Sequence, residues 1–246
     1  MKILVCISKT PDTTAKIAFA DNNTKFSEAG VQFIINPYDE WYALVRALEL
    51  KETLNATVHL ITVGGADTEP VIRKALALGG DEAFRVNADS HDSYYIASQI
   101  AAHAKQENYD IIFTGKETID YNGSGIGGMV AELVGIPFVS IASKFELSGQ
   151  VATLRREIEG GEEVCEVTLP VAVSCQKGMA EARIPNMRGI MAARTKPLKV
   201  IEPVQADTLT SIVSFELPPA KAGVKLIPAD NVEELVKLLH EEAKVI

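Results

Sequence analysis

Apolar positions recur along the first half of the chain in two alternating rhythms. Residues 2–8 form a nearly continuous apolar run that predicts a buried strand, ended by Thr10-Pro11-Asp12. Residues 13–33 are polar and weakly patterned, and read as a hairpin with Asn22-Asn23 at its tip. Asn36-Pro37 then starts a helix, because proline is tolerated in a first turn and Asp39 and Glu40 suit its positive end. Trp41, Leu44, Val45 and Leu48 follow at helical spacing and should face a core. Strands over 57–63, 82–86 and 109–114 alternate with helices over 67–78, 93–106 and 125–134, with Gly64-Gly65 and Gly79-Gly80 as stops. Four strand–helix units with short connections predict an α/β, Rossmann-like fold: a mostly parallel sheet with helices on both faces.

After Pro137 the rhythm changes. Segments 138–147, 151–158, 163–169 and 171–175 read as strands, with turns at Ser148-Gly149 and Gly160-Gly161. They are expected to extend the same sheet as an antiparallel meander. Residues 202–223 hold few core positions and contain Pro218-Pro219, so they read as an extended arm. It ends in an amphipathic helix over 230–244, capped by Asp230 or Asn231, with Leu235, Leu238 and Leu239 on one face. The expected division is an α/β domain over 1–200 and a C-terminal arm over 201–246.

The chemistry concentrates in residues 110–134. A short apolar run (Ile111, Ile112, Phe113) leads through Gly115, Lys116, Thr118, Asp120, Asn122, Gly123, Ser124 and Gly125 into an amphipathic helix. Glycines admit a ligand close to the backbone, and the bare N–H groups of a helix start attract anions. A phosphate above Gly123–Gly125 would meet main-chain donors and the helix dipole. Gly123, Gly125 and Gly128 also spell G-x-G-x-x-G, but a dinucleotide fingerprint follows its strand directly and opens the fold. Here eight residues intervene in a late unit, and no Lys follows as a P-loop requires. In parallel sheets ligands sit beyond the carboxyl ends of the strands. The loops at 6–9, 63–66 and 114–116 should therefore converge on Gly123. A plain glycine-rich surface loop is the alternative.

Composition narrows the classes. A formal charge of −9 argues against nucleic-acid binding. No apolar run approaches a membrane span, and the N-terminus reads as a first strand rather than a signal peptide. Cys6, Cys165 and Cys175 lack metal-ligand or C-x-x-C spacing, so reduced thiols in a cytoplasmic protein are expected. His59, His91, His103 and His240 are scattered. Glu157, Glu159, Glu162 and Glu163 flank Gly160-Gly161 and suit a charged hairpin tip better than acid–base work. Residues 177–201 carry six Lys or Arg residues in an otherwise acidic chain, with Ile184, Met187, Ile190 and Met191 among them. Such a segment suits an adaptable docking surface or a solvated connection equally. The residues alone give a nucleotide site and no reaction centre.

Taken together, these motifs resemble the beta subunit of the electron transfer flavoproteins over nearly the whole chain. The resemblance runs from KILVCISK through INPYDE, TVGGAD, residues 110–134 and EIEGGEE to GIMAARTKPLKVI. The family signature falls on Leu154, Arg156, Glu159, Gly160, Gly161, Glu163, Pro170, Ala172 and Val173, with Leu154 larger than usual and Cys165 in place of an aliphatic. The resemblance implies an electron carrier rather than an enzyme, with no catalytic residues of its own. It implies a heterodimer whose alpha subunit holds most of the redox-active FAD, while the beta chain buries a structural AMP. Cys6, Asn36, Tyr38, Asp39, Gly65 and the run from Gly115 to Ile126 correspond to the nucleotide-contacting positions. By physical type, Gly123, Ser124 and Gly125 would take the phosphate, the backbone at Cys6 and Gly65 the adenine, and Asn36 or Asp39 the polar rim.

The basic segment, about 178–197, resembles the recognition loop that docks flavoprotein dehydrogenases of the acyl-CoA dehydrogenase kind, as in fatty acid oxidation. Met187 would be its apolar anchor, with Arg183, Ile190 and Met191 around it. Met in place of Leu keeps the volume. Tyr121 departs from the family's loop pattern. Lys9-Thr10-Pro11-Asp12 resembles the opening of electron-bifurcating relatives, which place a second FAD where others place AMP. A stand-alone adenine-nucleotide sensor of the universal-stress type shares the core, but needs neither the arm nor the basic loop.

Overall fold

In β1 (Lys2–Cys6) successive side chains point to opposite faces, yet Ile3, Leu4, Val5 and Cys6 are all buried. Only a central strand covered on both sides does this. The computed structural model describes residues 1–221 and 223–246. After β1 come β2 (Lys9–Pro11), β3 (Phe19–Ala20), β4 (Lys25–Phe26), β5 (Phe33–Ile35) and α1 (Asp39–Leu54). The alternation continues with β6 (Thr57–Val63), a 3-10 turn at Ala66–Thr68, α2 (Glu69–Leu78), β7 (Glu82–Val86), α3 (Ser93–Glu107), β8 (Ile111–Gly115) and α4 (Ile126–Val134). The remainder comprises β9 (Phe138–Ser148), β10 (Val151–Ile158), β11 (Gly161–Thr168), β12 (Val171–Cys175), α5 (Met187–Ala193), β13 (Leu198–Ile201) and α6 (Val232–Glu241).

One sheet of nine strands runs β11-β10-β9-β12-β8-β1-β6-β7-β13. Every pairing from β9 to β13 along this order is parallel, and only β10 pairs antiparallel with its two neighbours. Two cores flank it. Ile3, Val5, Leu44, Leu48, Ile72, Leu76, Phe113 and Phe145 fill the face under α1 and α2. Leu4, Ile61, Phe84, Ile100, Ile112 and Val130 fill the face under α3 and α4. The Rossmann-like α/β sheet expected from the alternation is what forms.

Three details depart from expectation. The fourth strand of the expected meander, β12, lies parallel between β8 and β9; its five residues are all buried, which suits a central strand and not an alternating outer one. α1 starts at Asp39, two residues after Pro37, with Tyr38 at its N-cap. The basic segment is more ordered than its pattern implied, since it holds α5 and then β13 as the sheet's edge beside β7. The β3–β4 hairpin does turn at Asn22-Asn23, both at positive φ, while the β2–β5 pairing was not foreseen.

The arm is fastened along its first half. Gln99 on α3 exchanges hydrogen bonds with both backbone groups of Val204 (2.9 and 2.7 Å). The Asp92 carboxylate caps α3 through Tyr95 N–H and accepts from Leu209 N–H, Thr210 N–H and Thr210 Oγ1. Phe215 stacks on Phe19 and donates its N–H to the Asn23 carbonyl. Beyond it, Leu217, Val224 and Leu226 are exposed, as are Val232, Leu235 and Val236 of α6. Among the described residues no helix is long and apolar enough to cross a membrane.

Candidate functional site

Strand order reverses between β1 and β8: the chain continues from β1 to β6 on one side, and β12 flanks β8 on the other. Such a switch point is where a ligand crevice is expected, beyond their carboxyl ends. Its walls are the exits of β1 and β8, the head of α1 and the loop into α4.

The head of α1 shapes that crevice. Asn36 is fully buried; its amide donates to the Glu117 carbonyl (2.8 Å) and accepts from Ile119 N–H (3.2 Å). Asp39 accepts from Glu117 N–H (3.2 Å). Both side chains thus hold the backbone of the 117–119 loop. At Gly115 an added Cβ would lie 2.9 Å from Glu40 Cγ and 3.0 Å from the Glu40 backbone nitrogen, so only glycine lets β8 end against α1. Glu40 is buried and accepts from Ser8 N–H (2.8 Å) and Ser8 Oγ (2.6 Å), tying the exit of β1 to α1. Burial pushes its carboxyl up to about 7, against the lowering effect of the two Ser8 hydrogen bonds. Burial likewise raises Asp39.

The loop itself is a compact turn. Asn122 N–H donates to the Thr118 carbonyl (2.9 Å), and Asn122 and Ser124 both adopt φ near +50°. Ser124 Oγ donates to Glu117 (3.1 Å), whose other oxygen meets Lys116 Nζ at 2.9 Å. With Lys116 so paired, an anion here would depend on main-chain donors. Those donors are available: Gly125 is the N-cap of α4, and among the described residues no side chain caps that helix. At Gly123 an added Cβ would find only Ser93 Oγ, 4.0 Å away, which leaves the space above the loop open. Thr114 is buried below, and its Oγ1 has no hydrogen-bond partner among the described residues. It lies against the first turn of α4, since a Cβ on Gly127 would come within 2.6 Å of it.

The remaining expected positions lie at strand ends and on neighbouring loops. Cys6 is buried at the end of β1, and burial drives its thiol far up, so it is a neutral thiol and not a thiolate. Gly65 follows β6 in a loop held by buried Arg85, which donates to the Gly64 carbonyl (3.0 Å) and to Glu69 and Asn87. Lys9 bridges from β2 to Asp67 and Glu28 across the Phe33 ring. Tyr38 is exposed at the head of α1, and Asp120 and Tyr121 are exposed on the loop, where the Tyr121 ring lies 5.4 Å from that of His91. Ile126 opens α4, and Thr118 closes the turn through its carbonyl.

The expected docking residues form a separate group on α5 and just before it. Met187 is 73% exposed, and Ile184, Ile190 and Met191 are exposed beside it. Arg183 points instead to α1, where it forms a two-point ion pair with Glu52 (2.6 and 3.1 Å).

Sequence reasoning placed Ser8, Thr114 and Glu117 in the converging loops, but missed the Ser8–Glu40 pair and what Glu117 and Thr114 meet. A signal for Glu40 existed, because it leads the series Ala43, Leu44, Ala47, Leu48, the buried stripe of α1. A carboxylate in register with a core stripe needs a partner. Glu117 and Thr114 carry no such mark.

The model of the electron transfer flavoprotein domain family matches residues 23–206. The chain is 38% identical to the electron transfer flavoprotein subunit beta of Bacillus subtilis (strain 168), with both chains fully covered. It is 40% identical to the corresponding subunit of Syntrophomonas wolfei over 92% of this chain and 90% of that one. It is also 31% identical to the acryloyl-CoA reductase electron transfer subunit gamma of Anaerotignum propionicum, over 98% of this chain and 99% of the other.

Proposed function

The chain belongs to the electron transfer flavoprotein family, among its beta subunits, and from that we propose that it is half of a heterodimeric electron carrier with a structural AMP in the β1–β8 crevice. The observation that carries the nucleotide is the crevice's chemistry. It combines an uncapped helix start with an open glycine above it. A phosphate would give the bare N–H groups of that helix start a partner. Asn36 and Asp39 would hold the loop in shape for it, while Gly123, Ser124 and Gly125 present their backbone. Cys6 and Gly65 border the apolar end that suits an adenine.

FAD, held mainly by an alpha subunit, supplies the electron-carrying chemistry when bound. This chain's contribution is to present the exposed Tyr38 at the head of α1 and to shield one side. The free half of the arm and the apolar residues of α6 fit a packing role on that alpha subunit. The exposed group around Met187 fits the docking of flavoprotein dehydrogenases acting on acyl-CoA substrates.

A second reading places another FAD in the crevice, as in bifurcating carriers. Lys9-Thr10-Pro11-Asp12 favours it. Co-expression with the cognate alpha chain, followed by denaturation and quantification of released nucleotides, separates the readings. One FAD and one AMP per heterodimer are expected. Two FAD without AMP would favour bifurcation, and no stable heterodimer would return the chain to the sensor class.

A further inference from the structure

The docking segment is supported on two flanks by helices that lie outside it. On one flank α5 lies close against α2: a Cβ on Gly189 would sit 2.2 Å from the Ala77 carbonyl oxygen. Arg73 donates to the carbonyls of Ala193 (2.8 Å) and Lys196 (2.6 Å), and Lys196 Nζ returns to those of Leu76 and Gly80. On the other flank the support is α1. The Trp41 indole N–H donates to the Arg183 carbonyl (3.1 Å), the Arg183 guanidinium grips Glu52, and Glu49 lies 3.9 Å away. Glu49 is itself paired with Arg46 (2.7 Å), and Lys74 lies over the Trp41 ring. Between the flanks the apolar tip, Ile184 with Met187 and Met191, is held out into solvent.

We propose that Trp41 and Glu52 are positioning residues for docking, and that Arg183 is a staple of the segment to α1 and not a contact with the partner protein. The inference rests on the docking role proposed above. Its physical content is pre-organisation: a tip already fixed in its bound shape loses less conformational entropy on association. The guanidinium is committed to Glu52 at both ends of its fork, so a partner carboxylate would have to displace an existing two-point pair. Trp41 follows Asp39 and Glu40 directly, so the first turns of α1 serve the nucleotide loop and the docking segment together.

The test uses the heterodimer with its alpha chain, assayed for steady-state electron transfer from an acyl-CoA dehydrogenase, with KM for the heterodimer and kcat measured separately. Glu52→Arg and Arg183→Glu should each raise KM about fivefold with kcat unchanged, the fold-change equivalent to ~1 kcal/mol for an exposed pair. The double variant Glu52→Arg/Arg183→Glu should recover most of the loss. Trp41→Phe keeps the ring but removes the donor, and should raise KM by about threefold, in the range of one neutral hydrogen bond. Unchanged nucleotide content in each variant shows that the head of α1 is intact. A double variant as poor as Arg183→Glu alone would overturn the staple. So would a raised KM for Met187→Ala beside a normal one for Glu52→Arg. Met187→Ala without effect on KM would instead overturn the docking role itself.

Discussion

Replacing Glu40 by Gln should stabilise the protein at neutral and alkaline pH, although it removes a carboxylate that accepts two hydrogen bonds. Glu40 is buried at the head of α1, and its carboxyl is pushed up from 4.5 to about 7 by that burial. A folded pKa above the unfolded one means that the folded state binds more protons between those two values. The contribution to stability is therefore fully present below 4.5 and is lost as pH rises through 7. At ~1.4 kcal/mol for each pH unit of the gap, the ionised carboxylate costs about 3 kcal/mol above pH 7. Gln keeps the geometry: its carbonyl can accept from Ser8 N–H, and its NH2 can donate to Ser8 Oγ turned as an acceptor. The assay is thermal unfolding of the heterodimer at one fixed concentration, wild type beside Glu40→Gln, from pH 4.5 to 8.5. The difference in Tm should be near zero at the acid end, grow up to about pH 7 and level off at roughly 3–6 °C. A difference that does not change with pH, or a wild type more stable at pH 8, would refute the reasoning. The Ser8 hydrogen bonds would then outweigh the burial of charge.

Thr114→Val keeps the shape but removes the unpartnered buried hydroxyl, so stability without nucleotide should rise or stay level. A loss of about 2 kcal/mol in stability without nucleotide would mean that the hydroxyl has a partner within the protein. Gly189→Ala drives a methyl into the Ala77 carbonyl, so α5 must lift from α2. KM for a partner dehydrogenase should rise at least fivefold, about 1 kcal/mol, with nucleotide content unchanged. Tyr109→Phe removes the hydroxyl shared by His59 Nδ1 (2.9 Å) and His103 Nε2 (3.0 Å), and should cost about 1–3 kcal/mol by denaturant unfolding. Burial holds both imidazoles below the ordinary histidine range, so their contribution is present above pH 6.5 and lost as pH falls through their folded values. Unfolding titrations of His59→Phe should show a weaker fall in stability on the acid side of pH 6.5.

The layers of this protein are written in local periodicity. Ile3 and Val5 oppose Leu4 and Cys6 because a strand's side chains alternate, and Leu44 and Leu48 share a stripe because a helix turns in 3.6 residues. Each is decided within a few residues, so the chain could be divided into its strands and helices without the fold. The glycines around Gly123 were legible for the same reason, since an open loop before an apolar helix is a local pattern. β12 was not: its buried run says that both faces are covered, but not which two strands do the covering.

The site's working contacts were decided by the tertiary structure alone. Asn36 reads as a helix-start residue until it meets the Glu117 backbone 81 positions later, and Arg183 reads as a flank of the docking face until it meets Glu52 131 positions earlier. Nothing local records such pairs, because they exist only after loop closure has brought distant segments together and burial has set their registers. Glu40 stands between the two cases: its place in the core stripe of α1 is sequence, while the Ser8 groups that answer it are structure. The sequence by itself determined the layered sheet, the glycine loop and the family; only the packed chain decided which polar groups are satisfied internally and which, such as Thr114 Oγ1, are left without a partner among the described residues.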